Sequence, residues 1–241
     1  MQGFDHLSTD ASKFLDLSLS QDQVDALNRY ADLLDQWNQK INLTAIREPE
    51  EIRIKHFLDS LSCTLAIKDR PHASLIDVGT GAGFPGLPLK VLYPELQLTL
   101  VESVAKKAQF LNQVVQDLRL KQVKIVNARA ETVGQQGDHR QRYDWAVARA
   151  VASLPVLCEY LLPLVRVGGY MLAQKGESAA AELDEALYAI QVLGGRHLET
   201  IPVSLTNLAE ERFLIVIEKI AQSPENYPRR VGMPAKRPLA A

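Results

Sequence analysis

Two rhythms of apolar positions divide the chain. From Leu19 to Ile46, Val24, Leu27, Ala31, Leu34 and Trp37 recur at helical steps, and Ser20 with Gln23 forms a capping box at the start. A second helix is expected from Pro49, through Ile54, Phe57 and Leu58, to Leu61. Residues 1–70 thus read as a helical region, with Arg70-Pro71-His72 as its joint to the rest of the chain. Beyond that joint the apolar runs shorten. Leu75–Val78, Leu96–Glu102, Val123–Val126, Tyr143–Ala148 and Tyr170–Gln174 read as strands, and helical patterns separate them. One such helix passes through Leu87, Leu89 and Val91; others begin at a Ser103 cap, span Leu154–Leu164 and span Ala179–Leu193. Alternation with short loops predicts a parallel sheet covered on both faces. His197–Val203 and Arg212–Glu218 have no helix-length segment between them and should close the sheet edge as an antiparallel pair. The α/β domain then covers residues 71–220, and residues 221–241 form a basic, proline-rich tail.

Composition narrows the classes. The 241 residues are 46% hydrophobic with a net charge of -2, enough to bury a full core and too balanced for a protein that coats nucleic acid through charge alone. Cys63 and Cys158 stand far apart in apolar surroundings, without zinc spacing, so both are expected as reduced core residues and no metal is expected. No charged-then-apolar leader opens the chain, and no apolar run approaches a membrane span, which points to a cytoplasmic protein with no membrane partner.

The densest chemistry lies in Asp77-Val78-Gly79-Thr80-Gly81-Ala82-Gly83-Phe84-Pro85-Gly86. It reads as a strand ending in an acid, a glycine turn and a helix start, because glycines without Cβ can turn sharply and lie against a ligand. Gly81, Gly83 and Gly86 also fit the spacing of a dinucleotide site, a weak signal alone. Asp77 separates the two: a carboxylate there would meet an incoming pyrophosphate, whereas it would attract an ammonium or sulfonium such as that of S-adenosylmethionine. Glu102, ending the neighbouring strand, is placed to accept the hydroxyls of a ribose. Five parallel strands and a terminal hairpin are also the pattern of the class I S-adenosylmethionine-dependent methyltransferase fold, a Rossmann-like seven-stranded sheet, here with an N-terminal helical appendage.

Asn42-Leu43-Thr44-Ala45-Ile46, His56-Phe57-Leu58-Asp59-Ser60-Leu61, the glycine loop, Glu102 with Lys106-Lys107, Arg129-Ala130-Glu131, Ala148-Arg149-Ala150, Lys175-Gly176 and Tyr227-Pro228-Arg229-Arg230 occur together in that order. Over about Leu33–Leu239 the set resembles the RsmG family, also called GidB, bacterial methyltransferases of 16S ribosomal RNA. The resemblance implies transfer of a methyl group from S-adenosylmethionine to N7 of one guanosine in the 530 loop. It places cofactor contacts on Gly79, Phe84, Ala130, Glu131 and Arg149; Asp77, Gly81 and Glu102 join them from the fold argument. Two departures from the family pattern, Lys90 and Ser153, leave the assignment intact, and Lys90 is expected at the surface.

Guanine N7 carries a lone pair and no proton, so its methylation needs orientation and no general base. The chain accordingly shows no Ser/His/Asp or Cys/His set, no Asp/Asn-Pro-Pro-aromatic motif after Ala148, and no Pro-Cys loop. No catalytic residue is assigned. Arg149 can serve cofactor, RNA phosphate or a guanine edge, and Phe84 can stack on a base. Lys175, Arg229 and Arg230 are the RNA-binding candidates, with the tail as a semi-rigid basic arm. His56 and Asp59 share a helix face, where a structural histidine is the simpler reading. The expected partner is 16S RNA or the small ribosomal subunit, met by a monomer. A methyltransferase for a protein or small molecule, a cofactor-binding module without turnover, and a nucleotide-dependent oxidoreductase stay open on the residues alone.

Overall fold

The computed structural model describes residues 6–205 and 211–239. Residues 1–5, on which the reading against a leader partly rests, and the last two residues of the tail lie outside the described residues.

Helices α1 (Leu7–Leu15), α2 (Gln21–Asn38), α3 (Pro49–Ile52), α4 (Asp59–Leu61) and α5 (Thr64–Ile67) precede the sheet, with a π-helical turn, Arg53–Leu58, between α3 and α4. Strands β1 (Ser74–Val78), β2 (Gln97–Val101), β3 (Val123–Val126), β4 (Tyr143–Arg149), β5 (Val165–Lys175), β6 (Gly195–Val203) and β7 (Arg212–Lys219) form one sheet in the order β3-β2-β1-β4-β5-β7-β6. The first five run parallel; β7 lies antiparallel between β5 and β6. Helices α6 (Gly86–Leu92), α7 (Ala105–Asp117), α8 (Ala130–Gly134), α9 (Leu154–Leu161) and α10 (Ala179–Val192) connect the strands, and α11 (Met233–Lys236) lies in the tail. The strand order reverses between β1 and β4, and ligands of open α/β sheets bind in the crevice beyond the strand ends at such a point.

Successive strand residues feed two cores. Leu75, Trp145, Val147 and Leu172 pack in one with Leu27, Tyr30, Leu87 and Phe110, while Ile76, Ala146, Ala148 and Met171 pack in the other with Leu157 and Ala189. The N-terminal helices therefore share a core with one sheet face. The Ser20–Gln23 capping box is present.

Four local expectations change. α2 stops at Asn38 because the Asn38 Oδ1 accepts from the amides of Leu43 (2.9 Å) and Thr44 (3.1 Å) and its Nδ2 donates to the Thr44 carbonyl (3.0 Å), folding the next segment back. The Pro49–Leu61 helix widens into its π-helical turn. Ser103 does not cap α7; the Glu102 carboxylate takes the Val104 amide at 2.7 Å instead. Lys90 is buried, not exposed, since its stem crosses apolar surroundings and its Nζ donates to the carbonyls of Pro94 and Leu96, each at 2.5 Å.

The tail is fastened to the domain. Arg140 donates to the carbonyls of Ser223 (3.0 Å), Pro224 (2.9 Å) and Tyr227 (2.5 Å), and Gln135 to that of Pro228 (2.7 Å).

Candidate active site

Two cavities meet at Gly79. One, of about 200 Å³, is lined by Val101, Ala130, Glu131, Val151, Tyr160 and Ala235 among others. The other, of about 780 Å³, is bounded by the glycine loop, by Thr44, His56 and Asp59 from the N-terminal region, and by Arg149, Gln174 and Lys175 from the ends of β4 and β5. Gly79 (φ +69°) and Gly81 (φ +61°) are both left-handed, and a Cβ on Gly79 would come within 2.8 Å of Val151 Cγ2, so the loop is a cradle that a side chain would fill.

The acids behind the loop play a different part from the one expected of Asp77. That carboxylate is fully buried and its Oδ2 accepts from Thr80 Oγ1 at 2.6 Å and the Gly86 amide at 2.8 Å, while Oδ1 has no partner. It braces the loop from behind and does not line either cavity, because its strand ends beneath the turn. Burial raises its pKa to about 6, against the hydrogen bonds from Thr80 and Gly86. Glu102 accepts from the Gly81 amide at 3.0 Å as well as that of Val104, which ties the end of β2 to the loop. Each of its oxygens keeps a second lone pair for a hydroxyl.

Beside the small cavity, Ala130 opens α8, and Glu131 Oε1 accepts from the Gly232 amide at 2.8 Å. The tail therefore forms part of that wall through Ala235, anchored by the Gly232 amide. A narrow, partly apolar slot continuous at Gly79 with a polar chamber fits an adenosine joined to a charged amino-acid arm; Ala130, Glu131, Gly79 and Gly81 line the two cavities and could hold it, while Glu102 lines neither and stands behind the Gly81 amide.

The large cavity is organised by Arg149. Its Nη1 donates to Asp59 Oδ2 (2.8 Å) and the Lys55 carbonyl (3.0 Å), its Nη2 to His56 Nδ1 (3.2 Å), and its guanidinium lies 5.1 Å from the centre of the Phe84 ring. An arginine spread over these partners is not the open fork the sequence suggested. Phe84 lines the same cavity within an aromatic stack, with Tyr30 and His56 against it at centroid distances of 5.3 and 4.8 Å and interplanar angles of 14° and 13°. His56 also meets Thr44 Oγ1 at 2.7 Å, and burial followed by the Arg149 charge lowers its pKa to about 3, so the ring is neutral. The histidine read as structural thus stands in a cavity wall, and the recurring Thr44, His56 and Asp59 stretches were the signal for it.

Two of the RNA-binding candidates are engaged in ion pairs. Lys175 Nζ is held by Glu182 Oε2 and the Ala152 carbonyl, both at 2.6 Å. Arg229 closes on Glu159, which is inaccessible: Nε to Oε1 at 2.9 Å, Nη2 to Oε2 at 2.7 Å, and its amide to Oε1 at 2.7 Å. Arg229 is thus paired with a fully buried acid and Lys175 with a half-buried one. Arg230 alone of the three is exposed.

Among the described residues, no cluster of His, Cys, Asp and Glu is arranged for a metal, and no helix is long and apolar enough to cross a membrane. Both cysteines are buried and unpaired.

The chain resembles a solved S-adenosylmethionine-dependent O-methyltransferase from Thermotoga maritima, with a TM-score of 0.55 and 15% identity over 80% of this chain and 72% of that one. That likeness establishes the class I methyltransferase fold. It is also 50% identical to the ribosomal RNA small subunit methyltransferase G of Alkaliphilus metalliredigens, over 95% of this chain and 96% of that protein. The protein of the same name from Roseiflexus sp. (strain RS-1) is 52% identical over 92% and 94%. With residues 23–211 matching the model of GidB, rRNA small subunit methyltransferase G, this chain belongs to that family.

Proposed function

We propose that this protein transfers the methyl group of S-adenosylmethionine to N7 of a guanosine in the 530 loop of 16S ribosomal RNA, acting as a cytoplasmic monomer. When bound, the cofactor supplies an electrophilic methyl on a sulfonium. The name carried by the relatives at 50% and 52% identity supports the RNA substrate. The observation that carries the chemistry is the engagement of every described acid and histidine lining the large cavity: His56 with Arg149 and Thr44, Asp59 in ion pairs with Arg149 through Oδ2 and with Arg212 through Oδ1, Glu182 with Lys175. A nucleophile that must lose a proton would find no ready base there; guanine N7 has none to lose. The residues supply orientation instead, an effect of about 7–11 kcal/mol in favourable intramolecular models.

In this reading Gly79, Gly81, Ala130 and Glu131 hold the cofactor, Asp77 and Glu102 keep the loop in shape, and Arg230 on the tail meets RNA phosphate. The test uses folded protein with methyl-labelled S-adenosylmethionine and either 16S RNA or small-subunit particles. Label at a single guanosine that becomes susceptible to borohydride and aniline cleavage, the mark of N7 methylation, is the expected result. Absence of label from both RNA forms, despite cofactor binding, overturns the proposal.

A further inference from the structure

Thr44 sits at the rim of the large cavity on a segment that Asn38 holds by three hydrogen bonds. A hydroxyl normally both donates and accepts, and rotates to suit its partner. Thr44 lacks that freedom. Arg149 can only donate, so the His56 Nδ1 it meets at 3.2 Å must accept. The neutral ring then carries its proton on Nε2, which donates to Thr44 Oγ1 at 2.7 Å. The Ile46 amide donates to the same oxygen at 3.1 Å. Both lone pairs of Oγ1 are taken, and among the described residues no acceptor takes its proton. The chain of donors Arg149, His56, Thr44 therefore ends in a hydroxyl that can only donate, at the edge of the chamber.

The geometry points to Thr44 as a specificity residue that donates to O6 of the target guanine, with His56 as the positioning residue that forbids the hydroxyl from accepting. This rests on the guanine-N7 reading above. O6 adjoins N7 on the same edge of the base, so a donor fixed on O6 also fixes the direction of the N7 lone pair. Adenine presents an amino donor at that place, which would face a second donor with neither satisfied.

The test measures single-turnover methylation of RNAs carrying guanine, adenine or 2-aminopurine at the target position; 2-aminopurine keeps N7 and lacks O6. The wild-type enzyme is expected to be at least tenfold slower on 2-aminopurine than on guanine. Thr44→Val should be about tenfold slower on guanine, lose the distinction between guanine and 2-aminopurine, and keep wild-type affinity for S-adenosylhomocysteine, while Thr44→Ser keeps the rate. His56→Phe, which retains the stack on Phe84 and frees a lone pair on Thr44, should narrow the guanine-over-adenine preference about tenfold. Equal wild-type rates on guanine and 2-aminopurine overturn the inference whether or not any variant folds, as does a penalty that persists undiminished in Thr44→Val. Failure of the wild type to methylate guanine RNA at all overturns the functional reading instead.

Discussion

Asp59–Arg149 and Glu159–Arg229 are two buried acids, each closed by an arginine, and they do different work. Glu159 is saturated: both oxygens take guanidinium donors and one also takes the Arg229 amide. Asp59 is engaged through Oδ2 and leaves Oδ1 without a hydrogen bond, and its arginine reaches on to His56 in the wall of the large cavity. A saturated pair fastens the tail to α9; an unsaturated one, continued into a chain of donors, organises a site. Burial of an ion pair therefore says little about its role until its remaining valences are traced.

Breaking the saturated pair should have the largest effect on stability. Arg229→Ala removes both guanidinium contacts and leaves Glu159 charged in the interior with only the backbone amide at 229, at a cost of about 3–5 kcal/mol. The midpoint of urea unfolding reads it; a shift worth less than about 1 kcal/mol would deny the fastening role. Arg149→Lys should behave in the opposite way. A single ammonium cannot serve Asp59, His56 and the π-helical carbonyls together, so methyl transfer should fall about 100-fold from misplaced groups, with a smaller change in stability. A variant with full activity would break the comparison.

Asp77 offers a third, smaller contrast, an acid with no cation bonded to it. Its pKa is raised from 3.8 to about 6 by burial, so the folded state holds its proton longer than the unfolded chain does. The stability this contributes is fully present below about pH 4 and is lost as the pH rises through about 6. Asp77→Asn keeps an acceptor for Thr80 and Gly86 and cannot ionise. The stability of the wild type relative to this variant should fall between pH 4 and pH 6 and then level off, as measured by thermal unfolding. A pH-independent difference would mean that Asp77 does not titrate in that window.

Much of the fold was legible because periodicity is local: the seven strands, the capping box at Ser20 and the helical N-terminal region all follow from the spacing of apolar residues. The cradle at Gly79 was legible for the same reason, since a strand end and a glycine turn are adjacent in sequence, whereas the tie from Glu102 to Gly81, twenty-one positions apart, was not. Nor were partners farther apart in the chain. Nothing near Arg229 announces Glu159, seventy positions away, nor does the neighbourhood of Lys175 show that Ala152 will claim its ammonium. The same blindness put Lys90 at the surface and Asp77 in the ligand's path.

The order of residues alone determined the alternation that builds a parallel sheet, the glycine turn at its switch point and the recurring stretches that mark the family. Tertiary structure decided which charges were left unspent: it consumed Arg229 and Lys175, turned Asp77 inward, and joined Arg149, His56 and Thr44 into one chain of donors. The reason is physical, because periodicity is written in neighbouring residues, whereas the pairing of a buried charge depends on which distant side chain the fold brings within about 3 Å.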